Sequence, residues 1–254
     1  MIKKQKFLFG FFLFFIFSQV LYSNELSLSS KKETEIKELN LFIKDFILKN
    51  PEIIIEAIEI YQNKQNLITL NKEKNIIKSL SSEIFDDKNS YYYGDKDSKI
   101  SIVEFVDYNC GYCKKNHEII MQFLKKNNNI KYIVKEFPIL GERSLLAAKV
   151  AILIYLIDGA KVYKKFFDYL MNHRSQINFE ILKSFANKAG TSIKDFENQI
   201  KKKKVDSIIL KNLSLAEKLS INGTPTFIIE NSIIRGFLSY ENLQEIIDNL
   251  IKKQ

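Results

Sequence analysis

Cys110 and Cys113 are the only cysteines in a chain of 254 residues, and two residues separate them. Thiols so spaced at a helix start can close a small disulfide ring. The first helical N–H groups and the positive end of the helix dipole then stabilise a thiolate on the first sulfur. The chemistry open to such a pair is thiol–disulfide exchange. Cys110, nearest the helix end and the more exposed, is the expected nucleophile. Cys113, one turn further in, is the expected buried resolving thiol. A purely structural staple is a poor explanation, because so short a loop constrains the unfolded chain very little. Haem attachment would need a histidine after the second cysteine, and residue 114 is lysine. A zinc site would have to recruit His117 and the distant His173, at a spacing unlike common zinc modules. No metal and no cofactor is expected, and His117 reads as a packing or surface residue.

These thiols need a strand and a helix to hold them. The apolar run Ile100–Phe105 predicts a strand, Asp107-Tyr108-Asn109 a kink, and Ile119, Ile120 and Phe123 carry a helix over Cys110–Lys126. Lys131–Phe137 predicts the next strand, and Leu145–Ile157 a strongly apolar helix. Amphipathic segments follow near 161–172, 178–188, 192–203 and 205–219, punctuated by Gly159, Gly190 and Asn222-Gly223. Thr226–Ile229 and Ile233–Arg235 flank Glu230-Asn231-Ser232, a hairpin signal. Tyr240–Ile251 closes the chain as a helix. Glu104 sits between the apolar Val103 and Phe105, six residues before Cys110, and reads either as an outward strand glutamate or as a buried acid. Burial would raise its pKa and make it a usable acid–base group.

Upstream, residues 31–85 contain no glycine and show helical periodicity, interrupted by Asn50-Pro51. Asn50 is the expected N-cap and Pro51 the first residue of a second helix, giving helices near 33–49 and 51–80. Ile54, Ile58, Tyr61, Gln65 and Ile68 follow a heptad course, and Ile53, Ile60 and Leu67 form another stripe. Two apolar stripes point to a partner surface or to packing on the parent domain. Asp86–Ser98, rich in Asp, Asn, Ser and Tyr, reads as a linker.

Lys3, Lys4 and Lys6, the apolar run Phe7–Phe17 and the small residue Ser23 compose a secretory signal. The run is short of the ~20 residues a membrane-spanning helix needs. The expectation is an exported, periplasmic protein, with an uncleaved membrane anchor as the alternative. Only three basic residues are arginines (Arg143, Arg174 and Arg235) and the lysines are dispersed, so the net charge of +9 reads as a solvated surface. No nucleic-acid partner is expected.

Strand, Cys-Gly-Tyr-Cys, helix and then Gly223-Thr224-Pro225-Thr226 before a hairpin resemble the thioredoxin-like fold. More narrowly, Val103–Cys113, Lys135-Glu136-Phe137-Pro138-Ile139-Leu140-Gly141 and Asn222–Phe227, with Lys49-Asn50-Pro51-Glu52 upstream, resemble the ScsC-like branch of the DsbA family. The resemblance implies an α/β thioredoxin-like fold with an inserted helical domain and an N-terminal helical extension. The implied division is 1–23 signal peptide, 24–90 extension and linker, and 91–254 catalytic domain with its insertion at about 141–219. It implies catalytic roles for Cys110, Cys113 and the buried acid Glu104. It also implies substrate contacts at Gly111, Tyr112, Thr224 and Pro225, with Thr224-Pro225 as a cis-proline loop. The expected activity is thiol–disulfide exchange on unfolded or misfolded secreted proteins, with isomerase or reductase action favoured over oxidase. A membrane redox partner and a homotrimer or other homo-oligomer are implied too. Gly111-Tyr112 lacks the histidine of strongly oxidising relatives, and Thr224 resembles the isomerase-type DsbC. The alternatives are a copper-binding or metal-tolerance protein using the same soft thiols, and a cell-surface interaction protein acting through its N-terminal segment.

Overall fold

The computed structural model describes residues 32–252; the signal read at 1–23 lies outside the described residues. The chain divides into two compact units between Leu67 and Ile68. The first contains helix α1 (residues 32–49) and the beginning of α2 (Glu52–Ser79). Asn50 is not the N-cap the sequence suggested. Its side-chain amide donates back to Phe46 O at 2.7 Å, beside its own backbone N–H at 3.0 Å, so it turns toward α1 rather than α2. Ile36, Leu39, Ile43 and Phe46 recur at coiled-coil spacing along α1 and are all exposed, as are Ile54, Ile58 and Tyr61 on α2.

The second unit is built on a five-stranded sheet whose strands lie in the order 91–94, 130–136, 100–106, 226–229 and 232–235. β2 (Ile100–Val106) and β3 (Ile130–Glu136) are parallel, joined through α4 (Gly111–Lys126). β4 (Thr226–Ile229) runs antiparallel to β2, and β5 (Ser232–Arg235) antiparallel to β4. Both faces of β2 and β3 are covered, which is why these strands read as unbroken apolar runs. Ile102, Val106, Tyr132 and Val134 face one core, which includes both cysteines. Val103, Phe105 and Ile133 face the other, built with Ile77 of α2, Ile84 of α3 (Ser81–Phe85) and Leu215 of α8.

Two expectations change here. Part of the supposed linker is strand β1 (Tyr91–Gly94), paired antiparallel with β3. Three consecutive tyrosines favour extended backbone over their polar neighbours. Gly94 is required, because a Cβ there would lie 2.1 Å from Ile130 O. The helix expected over 192–203 shrinks to α7 (Phe196–Gln199), capped by the Asp195 side chain. The helices following β3 are α5 (Glu142–Asn172), broken at Gly159 with φ 78°, α6 (Phe179–Ala189), α7 and α8 (Lys203–Lys218). Helix α9 (Tyr240–Ile251) packs Leu243 and Ile247 into the first core.

Candidate active site

Cys110 stands at the junction of the β2–α4 loop and α4. Its backbone is extended, and its sulfur caps the helix by accepting from Cys113 N at 3.3 Å. Across a gap of 3.2 Å lies the carbonyl oxygen of Thr224, to which the Cys110 thiol donates. The Thr224–Pro225 peptide is cis. Sequence positions 114 apart thus meet at one sulfur. Both cysteines are free thiols; Cys110 retains 6% exposure and Cys113 none.

The two sulfurs are electrostatically distinct. The neighbouring Cys113 thiol, together with the amides of Cys113 and Tyr112, pulls Cys110 down to about 6 against the opposing cost of burial. Cys113 is pushed far up, first by burial, then by its hydrogen bond to Cys110 and the charge of Glu104. At neutral pH the pair therefore carries one proton, on Cys113. Lys114, itself buried, donates to His173 O at 2.7 Å and lies within the field of both sulfurs.

Glu104 is buried on the face of β2 that looks toward the cysteines. Its carboxyl is raised to about 8 by burial, partly offset by the hydrogen bond from Tyr132 Oη. Its other oxygen has no hydrogen-bond partner among the described residues. Its charge is felt at Cys113, and a group of this pKa can exchange a proton near neutrality. At Gly111 a side chain would meet nothing within 4 Å, and Tyr112 is 61% exposed with Lys115 Nζ above its ring, so this edge of the site is open.

His117 is buried and edge-on to Phe167, with Nε2 3.1 Å from Asp168 Oδ1, so it packs away from the sulfurs. Sequence reasoning passed over two buried acids. Asp107 accepts from the amides of Asn109, Ile139 and Leu140 and from Ser144 Oγ. Glu136 accepts from Tyr108 and Tyr163. The available signal was a Lys-Glu pair inside an apolar strand and an acid at the strand's exit.

Comparison with known proteins places these features in context. The profile described as thioredoxin matches residues 86–249, and the one described as copper resistance protein ScsC N-terminal domain matches residues 37–66. A protein-disulfide oxidoreductase of Rickettsia conorii is 25% identical over 194 residues, covering 72% of this chain and 68% of that protein. Among solved structures, the thiol-disulfide exchange protein alpha-DsbA2 of Wolbachia pipientis is 32% identical. It covers 72% of this chain and 98% of its own, with a TM-score of 0.67. Proteus mirabilis ScsC in a transitional conformation is 26% identical, covering 87% and 99%, with a TM-score of 0.66.

Proposed function

The chain belongs to the thioredoxin-like disulfide oxidoreductases, in the ScsC-like branch of the DsbA family, and from that premise we propose that it rearranges or reduces disulfides of exported proteins in the periplasm. The observation that carries the reading is the Cys110 sulfur, capped by the Cys113 amide at 3.3 Å and held at a pKa near 6 beside a protonated Cys113.

In the reduced protein the Cys110 thiolate attacks one sulfur of a client disulfide. A Cys110–client disulfide forms, and the other client sulfur leaves as a thiolate. That thiolate can attack a second client bridge; when a client thiolate finally displaces Cys110, the bridges have moved with no net electron transfer. Alternatively Cys113 gives its proton to ionised Glu104 and attacks Cys110 Sγ. The Cys110–Cys113 bond then forms, the client leaves reduced, and two electrons have passed from protein to client. The oxidase direction reverses these steps. Thr224, before the cis-proline, offers backbone beside the sulfur for an extended client segment, and Gly111 and Tyr112 form the open edge across which it lies.

The exposed heptad residues of the first unit support self-association, with several active sites then facing one client. Among the described residues no helix is long and apolar enough to cross a membrane. Regeneration of the resting state is assigned to a membrane redox partner. Replacing Cys113 with Ala tests the core of this reading: mixed disulfides between Cys110 and reduced-then-oxidised client proteins should accumulate on non-reducing gels. Replacing Cys110 should abolish them. Equal trapping by both variants would refute the assignment of nucleophile and resolving thiol.

A further inference from the structure

The loop that delivers Cys110 has no regular structure, yet its sulfur must sit within 3.3 Å of Cys113 N and 3.2 Å of Thr224 O. Hydrogen bonds lose strength steeply with stretching and misalignment, so a slip of about 1 Å would release the sulfur. Two buried acids hold this loop from opposite sides. Asp107 ties it to the chain ahead of α5 and to the first turn of that helix, accepting Ile139 N at 2.8 Å, Leu140 N at 2.9 Å and Ser144 Oγ at 2.6 Å. Its own carbonyl accepts Cys110 N at 3.0 Å. On the core side, Tyr108 donates its hydroxyl to Glu136 Oε1 at 2.7 Å.

We propose that Glu136 is a positioning residue of the redox centre: by gripping Tyr108 it fixes the Asp107–Cys110 loop and with it the Cys113 amide contact that stabilises the Cys110 thiolate. The inference rests on Cys110 being the attacking sulfur. Glu136 ends β3 directly opposite Val106, the last residue before the loop, so its backbone is already locked in register there. Its carboxyl is fully enclosed, and a core position of this kind is ordinarily better served by an apolar side chain. What the acid adds is direction. One oxygen receives both Tyr108 and Tyr163, at 2.7 and 2.6 Å, and the two hydroxyls lie 3.4 Å apart. The Tyr108 ring alone, edge-on to Phe167, would fix the depth of the loop but not its position along the strand. Burial holds Glu136 near a pKa of about 8, against the pull of the two tyrosines and with Asp107 adding to the rise. Near pH 7 the grip is thus mostly uncharged and acts on the sulfurs through position rather than through a charge of its own.

Tyr163 supplies the internal comparison. It gives the same carboxyl an equivalent bond, but from α5 rather than from the loop. The test compares Tyr108→Phe, Tyr163→Phe, Glu136→Leu and Glu136→Gln in the reduced full chain. Readouts are thiolate absorbance against pH, the reduction potential against glutathione, and thermal melting. Tyr108→Phe and Glu136→Leu should move the Cys110 midpoint from near 6 toward the free value of ~8.5 and make the disulfide less oxidising. Glu136→Gln keeps an acceptor oxygen and should titrate like the natural protein. Tyr163→Phe should lower the melting temperature while leaving the midpoint in place. Equal displacement by Tyr108→Phe and Tyr163→Phe, or none by Tyr108→Phe, overturns the proposal; if Glu136→Leu does not fold, Tyr108→Phe decides alone. A natural protein whose thiol titrates near 8.5 would instead refute the proposed function, so the two failures are distinct.

Discussion

The Cys113 amide donates to the Cys110 sulfur over 3.3 Å, so the residue cast as the resolving thiol also stabilises the Cys110 thiolate of the resting state. Its side chain contributes too, since the Cys113 thiol is the largest cause of the lowered Cys110 pKa. Once Cys110 is consumed in a mixed disulfide it carries no charge, so a Cys113 thiolate can approach it without repulsion. The same contact that makes Cys110 a thiolate at rest thus keeps Cys113 protonated until the mixed disulfide has formed.

Alkylation of the reduced protein by iodoacetamide should follow a single ionisation near pH 6. In the Cys113→Ala variant the amide remains but the thiol is lost, and the midpoint should rise toward ~8.5. The folded pKa of Cys110 lies below its unfolded value, so the folded reduced form binds fewer protons. Its stability contribution is present above the unfolded value and is lost as pH falls through about 6. Glu136 has the opposite sign but is present in both redox forms, whereas the rise at Glu104 is partly due to the Cys110 charge and changes with it. The difference in melting temperature between reduced and oxidised protein should therefore report the thiols and the Glu104 carboxyl coupled to them, favouring the reduced form at pH 8 and shrinking below pH 6. A difference independent of pH would contradict the assignment.

Glu104→Gln should slow resolution of the mixed disulfide by about a hundredfold, the usual scale for loss of a positioned acid–base group. The initial attack by Cys110 should change little. Stability should move the other way. The Glu104 carboxyl is raised to about 8, so the folded state resists ionisation and loses stability as pH rises from the ordinary carboxylate range through about 8. Removing that burden should stabilise the protein at pH 8 by on the order of 1–3 kcal/mol and have little effect at pH 4. Rapid-mixing kinetics on a trapped peptide disulfide and denaturant unfolding at both pH values check the two halves.

Much of this site was legible in order along the chain. Cys110, Cys113 and Thr224-Pro225 announce themselves because their residue types are rare and their spacing fixed by chemistry. Glu104 is visible as a charge in an apolar strand, although which face it takes depends on register, which the strand alone does not reveal. Glu136 stands within a motif but its role is not legible there, because its meaning depends on Tyr108 and Tyr163, 28 and 27 residues away. Strand β1 was hidden for a related reason. Asp, Asn and Ser around Tyr91–Gly94 signal a loop locally, and only pairing with β3 makes those tyrosines a strand. Asn50 shows the same limit at short range: one asparagine can serve either helix it separates, and the bond to Phe46 O decides.

The first unit should drive association of the chain. Ile36, Leu39, Ile43 and Phe46 lie exposed at heptad spacing, and Ile54, Ile58 and Tyr61 repeat the pattern on α2. Light scattering of the natural mature protein should give a multiple of the single-chain mass. Ile43→Lys with Ile58→Lys should give the single-chain mass, with the Cys110 titration unchanged because no redox residue is touched. Monomeric natural protein would remove the partner-surface reading.

Isomerisation is the most demanding expectation. Reduced protein should restore activity to ribonuclease with scrambled disulfides, because a Cys110 thiolate stable near neutrality can open a wrong bridge and wait. Waiting matters: if Cys113 resolves first, the client leaves reduced instead of rearranged. The raised Cys113 pKa slows that escape, and association of several chains keeps a released client near another Cys110 at an effective concentration in the millimolar range. The associated form should therefore outperform the Ile43→Lys, Ile58→Lys variant by about tenfold on scrambled substrate. Both should reduce insulin at similar rates, since that reaction needs one active site. If the natural protein oxidises reduced ribonuclease readily but leaves the scrambled form inactive, its direction is that of an oxidase and the role of association in rearrangement falls with it.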